Sequence, residues 1–149
     1  MTTYRLELAD AGGTRGSVTL TVPEPDRAPG GAGTARYEAV LSGPALGPGV
    51  IVVRDDEVPP PRGRLLEVRA EGLWAEMVCE TRGEHWGFGL EAFGLRYESE
   101  ADAATSDVGE RLPVGLDLEW ETPGIVRGEL LVGRARIPFD GTGTFTVQP

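Results

Sequence analysis

The sequence predicts an all-β domain of about ten short antiparallel strands closed into a single barrel. Three observations carry this. Apolar and polar residues alternate at period two in segment after segment, the spacing of a strand with one buried face. Twenty-two glycines and twelve prolines supply turns and bends and weigh against long helices. No stretch sustains a helical period.

Tyr4-Leu6-Leu8 opens the pattern, with Arg5 and Glu7 on the opposite side. Val18-Leu20-Val22 alternates with Thr19 and Thr21, and Tyr37-Ala39-Leu41 and Val50 to Arg54 follow. Leu66-Val68-Ala70, Leu73 to Thr81 and His85 to Tyr97 continue it. Val114-Leu116-Leu118-Trp120, Val126 to Val132, Ala135-Ile137-Phe139 and Thr144 to Gln148 complete the set. Three irregular stretches interrupt these strands. Pro23 to Gly33 reads as a flexible loop and Asp55 to Gly63 as a stiffer, proline-set turn. Glu98 to Pro113 reads as a long acidic connection with a helical turn around Ala101 to Thr105. None of them separates two self-sufficient cores, so residues 1–149 are expected to form one domain. Closure into a barrel removes the exposed edges that so many strands would otherwise present. An open two-sheet sandwich is the rival.

Composition excludes several chemistries. One cysteine, Cys79, forbids an internal disulfide, and with one histidine, His85, it also forbids a Cys/His zinc site. A carboxylate-only site for a hard cation stays open, though no EF-hand spacing occurs, and no metal or other cofactor is expected. All fourteen basic residues are arginine, so a lysine Schiff base and a lysine general base are both ruled out. None of the four serines sits in a G-x-S-x-G setting. GTGT at Gly141 to Thr144 lacks the ending of a phosphate loop and precedes a strand.

The net charge of −10 is concentrated in one third of the chain. From Glu71 to Glu121 there are 13 acids against three arginines, whereas the remainder is balanced. Nucleic acid is therefore not an expected partner. The opening MTTYRLELAD has no apolar signal-peptide core, and the longest aliphatic run is Val50 to Val53. A cytoplasmic protein with no membrane association is the expectation.

Chemically capable residues crowd the hairpin from Glu71 to Gly94, which holds Trp74, Cys79, His85, Trp86, Phe88 and Phe93. On the first strand, Leu73, Ala75, Met77 and Cys79 share one face and Trp74, Glu76, Val78 and Glu80 the other. If Trp74 points inward, Glu76 does too, and a carboxyl group beside an indole in a dry cavity would act as an acid near neutral pH. If it points outward, both are wet. On the second strand, Trp86, Phe88, Leu90 and Ala92 oppose His85, Gly87, Gly89, Glu91, Phe93, Leu95 and Tyr97. Glycines 87, 89 and 94 mark a bend or the close approach of another group. Cys79 reads as a small core residue. Catalytic candidates are Glu76, Glu91 and His85. Substrate-binding candidates are Trp74, Met77, Trp86, Phe88, Phe93, Tyr97 and Trp120.

Three segments carry a family resemblance: RAEGLWAEMVCETRGEHWGFGLEAFGLRYES (Arg69 to Ser99), RLPVGLDLEWET (Arg111 to Thr122) and GELLVGRARIPFDGTG (Gly128 to Gly143). Together they resemble the hydroxyneurosporene synthase-like proteins, a lipocalin-type group that also contains carotenoid hydratases and Diels–Alderases. The likeness covers roughly residues 35 to 143 and corresponds to the first barrel of longer members. In those members the FDG-x-G segment runs into an Arg-Asp-His-Ser-Trp-Gly motif. Here Phe139 to Gly143 is followed by TFTVQP, so no role of that motif is carried over.

The resemblance implies a lipocalin-like barrel of about eight to ten strands with an apolar pocket. The function expected of it is cofactor-independent cyclisation, a [4+2] cycloaddition for instance, of a hydrophobic polyketide or isoprenoid during natural-product biosynthesis. Such a reaction needs a folded substrate more than a nucleophile. The alternatives are a non-catalytic carrier of the same kind of ligand and an alkene hydratase or isomerase using a buried glutamic acid. The expected partners are a hydrophobic small molecule and, at most, a second copy in a homodimer.

Overall fold

The computed structural model describes residues 1–24, 33–61, 65–106 and 108–149. Ten antiparallel strands form one sheet: β1 (Thr2–Asp10), β2 (Arg15–Val22), β3 (Ala35–Ser42), β4 (Val50–Val58), β5 (Leu66–Ala70), β6 (Leu73–Thr81), β7 (His85–Tyr97), β8 (Glu110–Glu121), β9 (Ile125–Val132) and β10 (Ala135–Gln148). Their order is β4-β3-β2-β1-β10-β9-β8-β7-β6-β5, and β4 also pairs with β7. That extra pairing closes eight strands into a ring, the barrel the alternation predicts.

The junction depends on β7, which is 13 residues long. Its first part, His85 to Ala92, ladders with β6, and its last part, Leu95 to Tyr97, ladders with Val52 to Val50 of β4. The change of neighbour falls at Gly94. A Cβ there would stand 2.9 Å from a Val114 methyl and 3.1 Å from the Val52 carbonyl oxygen. Only a bare Cα lets the three strands meet so closely. Arg96 adds a second tie, donating to the carbonyls of Leu46 and Pro48 at 2.9 and 2.7 Å in the turn before β4.

A short helix, α1 (Glu100–Thr105), covers the outside of this junction. Ser99 caps it by accepting a hydrogen bond from the Asp102 amide, and Ala103 packs with Val50, Val52 and Tyr97. Arg54 of β4 donates to the Ala103 carbonyl at 3.2 Å. The helical turn expected in the acidic connection is this helix. That connection is shorter than predicted, because β8 begins at Glu110 and takes in Pro113. The proline adjoins Phe93 in the ladder without blocking it.

Inside the ring one contiguous core runs through Leu6, Val18, Leu20, Leu41, Ile51, Met77, Phe88, Leu90, Leu118 and Leu130, all buried. Each such side chain contributes about 1.5–3 kcal/mol of burial, so the alternation itself is the principal stabilising term. The two last predicted strands are one continuous β10. Its first half pairs with β9 and its second half with β1, so GTGT lies within a strand. Asp55 to Val58 belongs to β4 rather than to a turn, and the rest of that predicted turn reaches residues 62–64, outside the described residues. Most of the predicted loop from Pro23 to Gly33 also lies outside them. Cys79 is exposed and not in the core, because β6 passes beyond the packed interior into a bulge between Cys79 and Thr81. Among the described residues no helix is long and apolar enough to cross a membrane.

Two outcomes follow from this packing. Gly94→Ala should lower unfolding stability by roughly 1–3 kcal/mol, measured by urea denaturation, because the added methyl has no room at the junction. Tyr37 is 1% exposed, and its hydroxyl has no hydrogen-bond partner among the described residues. Burial pushes its phenol well above the ordinary value near 10. The stability tied to the protonated phenol is thus complete below about pH 10 and lost as pH rises further, since the unfolded chain releases that proton first. Tyr37→Phe should remove this part of the alkaline destabilisation. At neutral pH it should match or exceed the wild type by up to about 1 kcal/mol, since it deletes an unpaired buried hydroxyl.

Candidate functional site

The period of two divides the predicted site residues between the two faces of the wall. On β6 and β7, Met77, Trp86 and Phe88 point inward, as does Trp120 on β8. Trp74, Glu76, His85, Glu91 and Phe93 point outward. Tyr97 is buried separately, beneath α1. The ten candidates thus fall into an inner, mainly aromatic set, an outer aromatic and acidic set, and Tyr97 apart from both. Neighbouring residues of a strand cannot line the same side, whatever their chemistry.

The outer set is built on the cross-strand pairs Trp74↔Glu91 and Glu76↔Gly89. The Trp74 indole lies over Gly89, with its ring edge 3.1 Å from where a Cβ would stand. Gly89 thus provides a seat for an aromatic ring on the outside and opens no space within. The exposed Phe93 ring carries the Arg111 guanidinium 4.3 Å above its centre. An open groove of about 530 Å³ runs past Trp74, Phe93, Pro113 and Leu131, with Glu91 on its rim. On β5, Arg69 beside Glu67 holds that carboxyl below the usual carboxylate range.

His85 Nε2 lies 3.1 Å from Glu119 Oε1, and Glu121 brings a second carboxylate near it. One imidazole and two carboxylates form a donor set that divalent cations accept. Both glutamates are exposed on the outer face, where water competes with any ligand. As an ion pair, His85–Glu119 contributes little, under about 1 kcal/mol. It fixes the direction of the imidazole and keeps it away from the interior.

The inner set gathers at the end of the barrel where both termini lie. Trp86 and Trp120 face each other across the β7–β8 ladder. Phe145 from β10 packs against Trp86, Phe88 and Trp120 with ring centres 4.7, 5.3 and 5.9 Å away. Tyr4 from β1 reaches Trp86 at 6.2 Å. In the ring of eight, β1 and β7 stand four strands apart in either direction, so the Tyr4–Trp86 contact spans the lumen. Here the interior is filled by rings and is not a hollow chamber. Trp120 donates its indole N–H to the Gly143 carbonyl at 3.1 Å, which satisfies its only polar atom. Phe88 is buried, whereas Tyr4, Trp86, Trp120 and Phe145 each keep part of their surface in water. Inward residues can do so only at the open end, so these four form the rim of the barrel mouth.

Tyr4 and Phe145 are not among the sequence candidates. Tyr4 shares the alternation of Leu6 and Leu8, which was enough to place it inside. Phe145 becomes visible only from the register Leu6↔Phe145, a pairing between opposite ends of the chain. Compared with protein-family models, with curated proteins and with solved structures, this chain finds no significant match.

Proposed function

We propose that this protein binds a hydrophobic small molecule at the aromatic end of its barrel. The observation that supports this reading most is the half-exposed cluster of Tyr4, Trp86, Trp120 and Phe145, drawn from opposite walls onto one rim. Apolar rings that cross a barrel and still meet water offer large, rigid stacking surfaces at little entropic cost. Barrel mouths are common binding positions for this reason.

Cofactor-independent cyclisation is the catalytic form of the same reading. It asks the protein to hold a flexible chain folded with its reacting ends together, which can be worth about 7–11 kcal/mol in favourable cases. Rings presented from four strands suit that task. Acid-catalysed hydration or isomerisation has less support, because Glu76, Glu91 and His85 stand on the far side of the wall from the rings. A carrier without turnover uses the same rim.

Titration with the fluorescent apolar probe N-phenyl-1-naphthylamine should show saturable binding and quench tryptophan emission. Trp86→Leu and Phe145→Leu should each weaken it about tenfold, or 1.4 kcal/mol. Glu76→Gln, Glu91→Gln and His85→Gln should leave it within about twofold, a ratio of only ~0.4 kcal/mol. Unchanged affinity in both ring variants would overturn the assignment of the rim. For catalysis, incubation with a linear polyene ketone, without metal or nucleotide, should bleach the conjugated absorbance and give an isomer of equal mass. Glu76→Gln and Glu91→Gln should leave that rate unaltered; recovery of unreacted polyene would leave the carrier reading standing alone.

A further inference from the structure

Tyr37 is the largest side chain fully enclosed by the fold, and its hydroxyl oxygen is the one buried side-chain polar atom found without a hydrogen-bond partner among the described residues. An unpaired hydroxyl in an apolar interior is costly, and phenylalanine would fill the same volume without that cost. Its neighbours on the inward stripe of β3 are Ala35 and Ala39, the smallest side chains on that strand. The ring therefore projects between two shallow positions of the stripe, which ends on Leu41.

Position links this hydroxyl to the aromatic rim. Tyr37 pairs with Leu20 on β2, and Leu20 pairs with Tyr4 on β1. Tyr37 and Tyr4 thus lie on one line of cross-strand partners, two strands apart, or roughly 10 Å between backbones. On its other side Tyr37 pairs with Asp55 of β4, next to a register shift. Among the described residues that part of β4 has no laddered neighbour beyond it, because β4 meets β7 through Val50 to Val52 and does not ladder with β5. The wall beside Tyr37 is therefore held by side-chain packing and not by a continuous ladder.

We propose that the Tyr37 hydroxyl is the polar anchor for the bound molecule, and that this molecule is an apolar skeleton carrying a hydrogen-bond acceptor of the carbonyl class. The inference rests on the binding reading above and gives it a substrate class. The phenol supplies one donor, directed into the interior, and burial keeps it protonated throughout the physiological range. A ketone or aldehyde oxygen would satisfy it, while a pure hydrocarbon would leave it unpaired. The site would therefore discriminate by the missing bond as well as by shape.

The test uses the full chain and a matched pair of probes, 2-acetylnaphthalene and 2-ethylnaphthalene, titrated calorimetrically. The wild type should bind the ketone more tightly than the hydrocarbon by about threefold to tenfold, the ratio expected of one neutral hydrogen bond. Tyr37→Phe should erase that preference, lowering ketone affinity and leaving the hydrocarbon unchanged, while its unfolding midpoint stays at or above that of the wild type. No preference in the wild type, as when a bound water satisfies the hydroxyl, would overturn the anchor and leave the binding reading intact. A preference that survives in Tyr37→Phe would do the same. Failure of both probes to bind would overturn the binding reading and the anchor together.

Discussion

Closure of the ring rests on a narrow seam in which three residues of β4, Val50 to Val52, ladder with three of β7. Every other neighbour relation in the sheet could exist in an open, twisted sheet. Only this one turns the sheet into a barrel and makes the inward stripe a shared interior. The features around it serve the same junction. Gly94 clears the space where β7 changes neighbours, Arg96 holds the preceding turn by two carbonyls, and α1 covers the outside with Ala103. The acidic connection thus has a structural task that its composition did not advertise.

The fold was largely legible in the sequence because its main driving force, burial of alternate residues, leaves a direct trace there. β6 and β7 were readable to the residue, and the helical turn between β7 and β8 to within one residue. Legibility failed where glycines interrupt the apolar stripe of a single strand. The run from Ala135 to Gln148 looks like two strands because Gly141 and Gly143 interrupt its apolar stripe. Those glycines sit where β10 passes from β9 to β1, a demand set by partners far away in sequence. Cys79 looked like core for a related reason: alternation gives the face but not where the packed interior ends.

The site was less legible than the fold. Composition singled out the β6–β7 hairpin correctly as the richest in aromatic and ionisable residues, but richness along a strand mixes two faces. Alternation already separated Trp74 from Met77 and His85 from Trp86. It could not say which set was inside, since both carry tryptophan. The core settles this, because Met77, Phe88 and Leu90 are all buried. The hairpin's carboxylates and imidazole, Glu76, Glu91 and His85, share the outer face with Trp74 and Phe93, while its inner face carries Met77, Trp86 and Phe88 and none of those ionisable groups.

The absence of a ladder between β4 and β5 also bears on self-association. Among the described residues each has an unladdered backbone edge, the kind that recruits strands from other molecules and starts aggregation. Here the two edges belong to the same stretch of barrel wall and carry charges of both signs, Arg54, Asp55, Asp56 and Glu57 on one and Glu67 and Arg69 on the other. A foreign strand would have to bury those charges to dock. Charge at these edges therefore works against the pairing that an unladdered strand would otherwise invite.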